Sequence, residues 1–341
     1  MHRRTFLTAA LALAAAGCAG APVATTSSAP SGAASATGAE VRATIGLSYI
    51  PNVQFAPFYV GQAGHLFDQV GATVELRHHG ATEGLFNALT AGAEDFLVAA
   101  GSEAMQARAE GVDVIAVGAY YKDFPVQVLV LGSSPVHSLA DLKGRSLGVP
   151  GRYGESWLAA QVALKTAGLT EKDVTIVEVG YTQVAALTTK KVDAVVGFST
   201  NELIQLQAAG VDPRALPVAP GVVPLVSTCL LTSAAYAKAH PEIVRQVVAA
   251  TKASIEATAA DPSHAVGVSA AQSPGWTEAS RQNAEAVLAA TVELMALNSA
   301  GQFDPALNGD QWKAMADFLS SAALIKAPVP ATEAFTNDFT T

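Results

Sequence analysis

The chain is poor in the groups that staple a fold, hold a metal or attract a polyanion. It has two cysteines in 341 residues, Cys18 and Cys229, so no disulfide framework is expected. Cys229 stands alone inside the apolar run 225–231 and reads as a buried small hydrophobe, not a reactive thiol. Charged residues make up only 14% of the chain and no basic run occurs, which argues against a nucleic-acid partner. His65, His78 and His79 do not suggest a metal site. Adjacent residues of a strand point to opposite faces, so His78 and His79 cannot readily share one ion, and both read as solvated strand-edge residues. No catalytic nucleophile, metal or cofactor is expected, and no internal repeat has a fixed period.

What is present begins at the N-terminus. A short basic start with Arg3 and Arg4 precedes an apolar run to Ala16 and then Gly17-Cys18. The run is too brief to span a bilayer, and with a small-residue cleavage site it reads as an export signal over residues 1–18. Arg3-Arg4-Thr5-Phe6-Leu7 resembles a twin-arginine signal, with the general export route left open. Ala15-Ala16-Gly17-Cys18 resembles a lipoprotein box, although Ala15 stands where such a box usually has Leu. Cys18 would then carry the lipid and become the new N-terminus. Residues 19–40 are almost entirely Ala, Ser, Thr, Gly and Pro, a composition that forms a tether and not a core. The expected product is extracytoplasmic and lipid-anchored to the cell membrane. Its formal charge changes from −9 to −11 when Arg3 and Arg4 leave with the signal.

From Val41 about 300 residues remain, enough for two domain cores. Apolar runs alternate with helical periods. Strands are expected at 43–49, 73–77, 95–99 and 114–119, with helices at 56–68, 82–92 and 102–110 between them. A strand at 126–131 has no helix after it. A second series follows from Leu139, with strands at 146–149, 174–179 and 194–198 and helices at 155–167, 183–189 and 201–209. After a strand at 225–231 the pattern is helical: 234–240, 241–260, 262–271, 277–297 and 305–321. The fold class is α/β, with mostly parallel sheets flanked by helices.

In open α/β sheets ligands bind beyond the carboxyl ends of the strands, so the turns there form the candidate site. The first lobe supplies Tyr49, Asn52, Gln54, Phe55, Thr82, Ser102, Glu103 and Tyr120. The second supplies Arg152, Tyr153, Trp157, Gln183, Phe198, Asn201 and Glu202. Eight of the chain's 22 aromatic residues lie in or beside these turns, where polar residues are the norm. Such enrichment points to a flat ring held between rings.

The order and wording of these turns resemble the extracytoplasmic solute-binding proteins of ABC importers, in the branch related to thiamine-pyrimidine binders. The resemblance is carried by Tyr49-Ile50-Pro51-Asn52-Val53-Gln54-Phe55-Ala56-Pro57-Phe58-Tyr59-Val60, by Asp141-Leu142-Lys143-Gly144-Arg145-Ser146-Leu147-Gly148-Val149-Pro150, by Val192-Asp193-Ala194-Val195 and by Asn201-Glu202. Pro150-Gly151-Arg152-Tyr153-Gly154 and Tyr181-Thr182-Gln183-Val184-Ala185-Ala186-Leu187 look most like the riboflavin-binding members. The resemblance implies a two-lobed periplasmic-binding-protein fold of type II, with two hinge crossings, that closes on one small molecule and presents it to a permease and its ATPase. On that plan residues 41–125 and 226–341 form one lobe and 126–225 the other. The crossings would be 126–131 and 223–230, flanked by Pro125, Gly132, Gly221 and Pro224.

Residue chemistry narrows the ligand in part. Gly151-Arg152-Tyr153-Gly154 at a helix start can cradle an anion, but Glu83, Glu103, Glu155 and Glu202 occupy the neighbouring turns. Four carboxylates favour a neutral, planar, hydrogen-bonding heterocycle, with Glu103 and Glu202 accepting its protons and Glu83 and Glu155 solvated or capping helices. Riboflavin and an aminopyrimidine both fit. A related enzyme that makes the thiamine pyrimidine from its own histidine requires a cysteine cluster. Cys229 alone does not supply one, so a binding protein is expected and not an enzyme.

Overall fold

The computed structural model describes residues 42–80, 83–219, 224–272 and 276–341, apart from the side chain of Ala279. Cys18, the signal, the tether, Thr82, Gly221 and Val223 lie outside the described residues. Two five-stranded sheets carry the fold. The first has the order β2-β1-β3-β10-β4, from β1 (Arg42–Leu47), β2 (Thr73–His78), β3 (Phe96–Ala100), β4 (Ile115–Ala119) and β10 (Thr228–Thr232). The second has the order β7-β6-β8-β5-β9, from β5 (Val126–Leu131), β6 (Ser146–Val149), β7 (Thr175–Glu178), β8 (Ala194–Phe198) and β9 (Pro213–Pro217). The molecule is therefore α/β and two-lobed. Both sheets are mixed, because β10 runs antiparallel to β3 and β4, and β5 antiparallel to β8 and β9.

The inner strands explain themselves by composition. Every residue of β3 and β10 is buried, and a strand covered on both faces needs a continuous apolar run. The edge strand β2 instead mixes exposed and half-buried positions. A matching device ties β1 to β3 and β6 to β8. Asp95, just before β3, accepts the Thr44 amide of β1 at 2.9 Å. Asp193, just before β8, accepts the Ser146 amide of β6 at 2.8 Å and its hydroxyl at 2.7 Å.

Three local expectations are corrected. Residues 126–131 are not a crossing: β5 pairs along its length with β9 and over its first half with β8. Likewise 228–230 lie inside the first sheet, so the chain passes between sheets just before each of these strands. β9 was not expected, because prolines at both its ends hide a strand signal. An edge strand tolerates them, since one side of it donates to no ladder. The helix expected over 82–92 shrinks to α2 (Asn87–Thr90), with Glu83 drawn away to Arg77.

The remaining helices are α1 (Ala56–Ala63), α3 (Gly101–Ala109), α4 (Gly154–Thr166), α5 (Gln183–Thr188), α6 (Glu202–Ala208), α7 (Ala234–Ala239), α8 (Pro241–Ala260), α9 (Pro262–Ala270), α10 (Glu278–Met295), α11 (Gly309–Ser321) and α12 (Ala331–Ala334). The C-terminal helices cover the first lobe: α8 and α9 lie on α1, and Trp312 of α11, fully buried, stacks on Phe335 at 5.2 Å. α10 also reaches α6 of the second lobe. No helix among the described residues is long and apolar enough to cross a membrane.

Candidate functional site

A cavity of about 380 Å³ lies between the lobes, where the carboxyl ends of β1, β2, β3 and β4 face those of β6, β7 and β8. Its size falls at the lower end of the range for small-molecule sites. Of the residues expected there, Tyr49, Gln54, Phe55, Glu103, Tyr120, Tyr153, Gln183, Phe198, Asn201 and Glu202 line it together.

Four expected residues do not line it. Ser102 is fully buried beneath the cavity wall. Asn52 accepts the Gln54 amide at 3.1 Å and lines a separate pocket of about 240 Å³, with Gln205, Trp276 and Asn283. Arg152 turns outward, where it bonds Glu171, stands 3.6 Å from Glu178 and lies 4.9 Å over the Trp157 ring. That contact takes Trp157 out of the site as well. The anion cradle therefore loses its cation to the surface of its own lobe.

The rings are set by different means in the two lobes. Tyr120 is buried, donates to the Gln54 carbonyl at 2.7 Å, and stacks on Phe58 at 5.4 Å. Tyr121, also buried, lies 4.8 Å from it. Across the cleft Tyr153 is 50% exposed. Gly151 makes its position possible, since a Cβ there would stand 2.2 Å from the Tyr153 ring. Tyr49 and Tyr181 meet edge to face across the cleft at 4.5 Å. Burial, with Tyr153 nearby, pushes the Tyr181 phenol up to about 12.

The four glutamates exchange the roles expected of them. Glu103 and Glu202 are the helix-end acceptors: Glu103 takes the Ala100 amide at 3.1 Å, and Glu202 takes the Phe198 amide at 2.7 Å and the Asn201 side chain at 2.8 Å. The backbone N–H of Glu155, from the opposite lobe, lies toward Glu103 and favours its carboxylate. Glu83 is no helix cap but is held by Arg77 at 2.7 and 2.9 Å. Glu155 is buried in the first turn of α4, and its Oε1 has no hydrogen-bond partner. Burial raises Glu103 to about 7, and raises Glu155 and Glu202 as well, Glu155 further through the nearby Glu103. Among the described residues, no lysine or arginine lines the cavity.

His79 was misread as a solvated edge. It is buried, its Nε2 lies 2.8 Å from Glu94, its Nδ1 is buried without a partner, and the residue lines the cavity. Glu94 also takes Arg77 at 2.5 Å and sits against Gly46, where a side chain would overlap it. His78 bonds Tyr59 at 3.0 Å and the Tyr49 carbonyl at 2.9 Å. No sequence signal separated His79 from His78, because the partner Glu94 comes from another turn.

Tyr121, Glu83, Glu155 and Tyr181 stand outside the expected set, and all four line the cavity. Gly144-Arg145-Ser146-Leu147-Gly148 has the letters of a nucleophile elbow. Ser146 opens a strand, however, and gives its hydroxyl to Asp193, so the strand-to-helix turn of an elbow is missing. Cys229 is buried with its thiol pushed up by desolvation.

A family model described as NMT1/THI5 like matches residues 52–265. The chain is 33% identical to the riboflavin-binding protein RibY of Chloroflexus aurantiacus over 329 residues, 94% of this chain and 92% of that protein. Among solved structures, the aliphatic sulphonate binding protein SsuA of Escherichia coli superposes with a TM-score of 0.65 at 17% identity, covering 86% of this chain and 96% of that one. SsuA of Xanthomonas axonopodis pv. citri, bound to MOPS, gives 0.65 at 23% identity over 87% and 99%.

Proposed function

We propose, on the premise that this chain belongs to the NMT1/THI5-like family, that it is the solute-binding component of an ABC importer and captures riboflavin. The observation that carries the ligand reading is the cavity wall: rings from both lobes, buried carboxyl groups, and no lysine or arginine. A flat ring system fits between aromatic faces, and an uncharged one needs no counter-ion. The near full-length likeness to a riboflavin-binding protein supports the same ligand. The sulfonate binders share only the fold, and Arg152 lies outside the cavity where an anionic group would need it.

On this reading residues 41–125 with 226–341 form one jaw and 126–225 the other, closing on the ligand and offering it to the permease and its ATPase. Lipid on Cys18 and the tether 19–40 would hold the protein at the outer face of the cell membrane. The cavity residues bind and orient, and the reading includes no chemical step.

Titration calorimetry of the purified mature protein against riboflavin, its phosphate and a thiamine aminopyrimidine tests the reading. Riboflavin should bind at least about tenfold more tightly than its phosphate, a difference of about 1.4 kcal/mol. Burying a dianion without a cation costs more than that. Tight binding of the aminopyrimidine with none of riboflavin would overturn the ligand, as would preference for the phosphate.

A further inference from the structure

We propose that Glu155 is the cleft's hydrogen-bond donor: it stands as a neutral carboxylic acid and gives its O–H to a carbonyl oxygen of the bound ring. The inference rests on the carbonyl-bearing heterocycle proposed above and names the group that reads it.

Three observations carry it. Glu155 lies in the cavity wall at the first turn of α4, directly beyond the carboxyl end of β6, and is only 8% exposed. Its Oε1 is sealed from solvent and unpartnered, whereas the other three glutamates of the wall have each spent oxygens on protein donors. A buried carboxylate oxygen left bare is costly, but a carboxylic acid has one proton to give and only needs an acceptor.

The third observation is the company it keeps. The titratable groups facing Glu155 are Glu103 from α3, Tyr121 from the turn after β4, and Cys229 from β10; none is a cation. Lys122, the nearby base, gives its ammonium to the Ala306 carbonyl and lies over Phe303. A helix start ordinarily favours an anion. Here the Glu155 backbone N–H lies toward Glu103 and favours that carboxylate, while burial and the neighbouring Glu103 both favour the proton on Glu155. Gly154 permits this approach: it takes a φ of +73°, and a Cβ on it would stand 3.3 Å from Glu103 Oε1.

Proton bookkeeping makes the idea testable. With riboflavin the proton stays on Glu155 and no bond other than hydrogen bonds is made or broken. Above the pH at which ligand-free Glu155 ionises, binding must take one proton from solvent, and affinity should fall about tenfold per pH unit. An aminopyrimidine, a ring base, would instead take the proton itself, and affinity would not fall in that way.

The experiment is riboflavin titration of the mature protein from about pH 6 to about pH 9 in two buffers of different ionisation heat. It is run on wild type, E155Q and E155A. Wild type should lose affinity toward the alkaline end while taking up close to one proton. E155Q, which keeps an N–H donor at the same place, should bind within about threefold of wild type at neutral pH and lose the pH dependence. E155A should lose about tenfold or more. A flat wild-type profile, or a folded E155Q that binds more than about tenfold worse, would overturn the proposal. Carboxyl-carbon NMR of ligand-free wild type gives an independent readout: Glu155 protonated at neutral pH is required, and an ionised Glu155 sinks the idea. If riboflavin fails to bind at any pH, the ligand reading fails, and this NMR titration still decides the state of Glu155.

Discussion

Tyr120 of the first lobe is buried, stacked on Phe58 and hydrogen-bonded to the Gln54 carbonyl, and Tyr121 is buried in the same core, whereas Tyr153 of the second lobe is half exposed. The two lobes share one strand plan, and an aspartate ties β1 to β3 in one and β6 to β8 in the other. They differ in how deeply their rings are set. The C-terminal helices pack on the first lobe, where Tyr120 and Tyr121 are buried, while Tyr153 of the second lobe keeps half its surface exposed. The first lobe therefore presents a preformed wall, and on the proposed reading Tyr153 gains its burial from the ligand.

The strongest way to break this comparison is Tyr120→Ala. Removing a fully buried ring should cost about 3–5 kcal/mol of folding stability, read by urea unfolding of ligand-free protein. A loss under about 1 kcal/mol would mean that the wall is not built into the core.

Next in size is the pH dependence that Glu103 imposes on the first lobe. Its folded value, about 7, lies above the ordinary 4.5, so the stability it permits is fully present below about pH 4.5 and falls as pH rises through about 7. The full change is on the order of 3 kcal/mol. Unfolding midpoints measured across that window should decline in wild type and decline less steeply in E103Q, where Glu155 and Glu202 still contribute, and a rising profile would contradict the burial argument.

Tyr153→Ala should show the opposite balance to Tyr120→Ala. Stability stays within about 0.5 kcal/mol, as for other exposed positions, while riboflavin affinity drops by about 1–3 kcal/mol. Calorimetry and denaturation on the same variant separate the two effects, and an unchanged affinity would place the ring outside the bound state. Arg152→Ala should have the smallest effect, leaving affinity within about twofold, because its partners Glu171 and Glu178 and the Trp157 face all lie outside the cavity. A larger loss would bring the cation back into the site.

The elements that could be read directly were those whose limits are local. β5, β6 and β8 are mostly apolar runs followed by Gly, Pro or a polar residue, and α8 runs from Pro241 to just before Asp261-Pro262. β9 escaped because its stability comes from pairing with β5 and not from its own residues. In the site the turns were legible, since strand ends converge in any open sheet. The aim of each side chain was not. Arg152 and His79 are both polar residues beside a strand end, yet one is drawn out by Glu171 and the other held in by Glu94.

The order of elements, the α/β class, the clustering of rings at strand ends and the family likeness were determined by the sequence itself. Each follows from local periodicity or from residues adjacent in the chain. Only the tertiary structure decided which carboxyl groups are spent and which is left bare. Glu83, Glu103, Glu155 and Glu202 are chemically almost the same group, and what separates them is the partner each meets: Arg77, the Ala100 amide, nothing at Oε1, and the Phe198 amide with Asn201. For Glu103 and Glu155 the deciding contacts come from the opposite lobe. Burial in a cavity wall without a lysine or arginine then turns that difference in partners into a difference in charge.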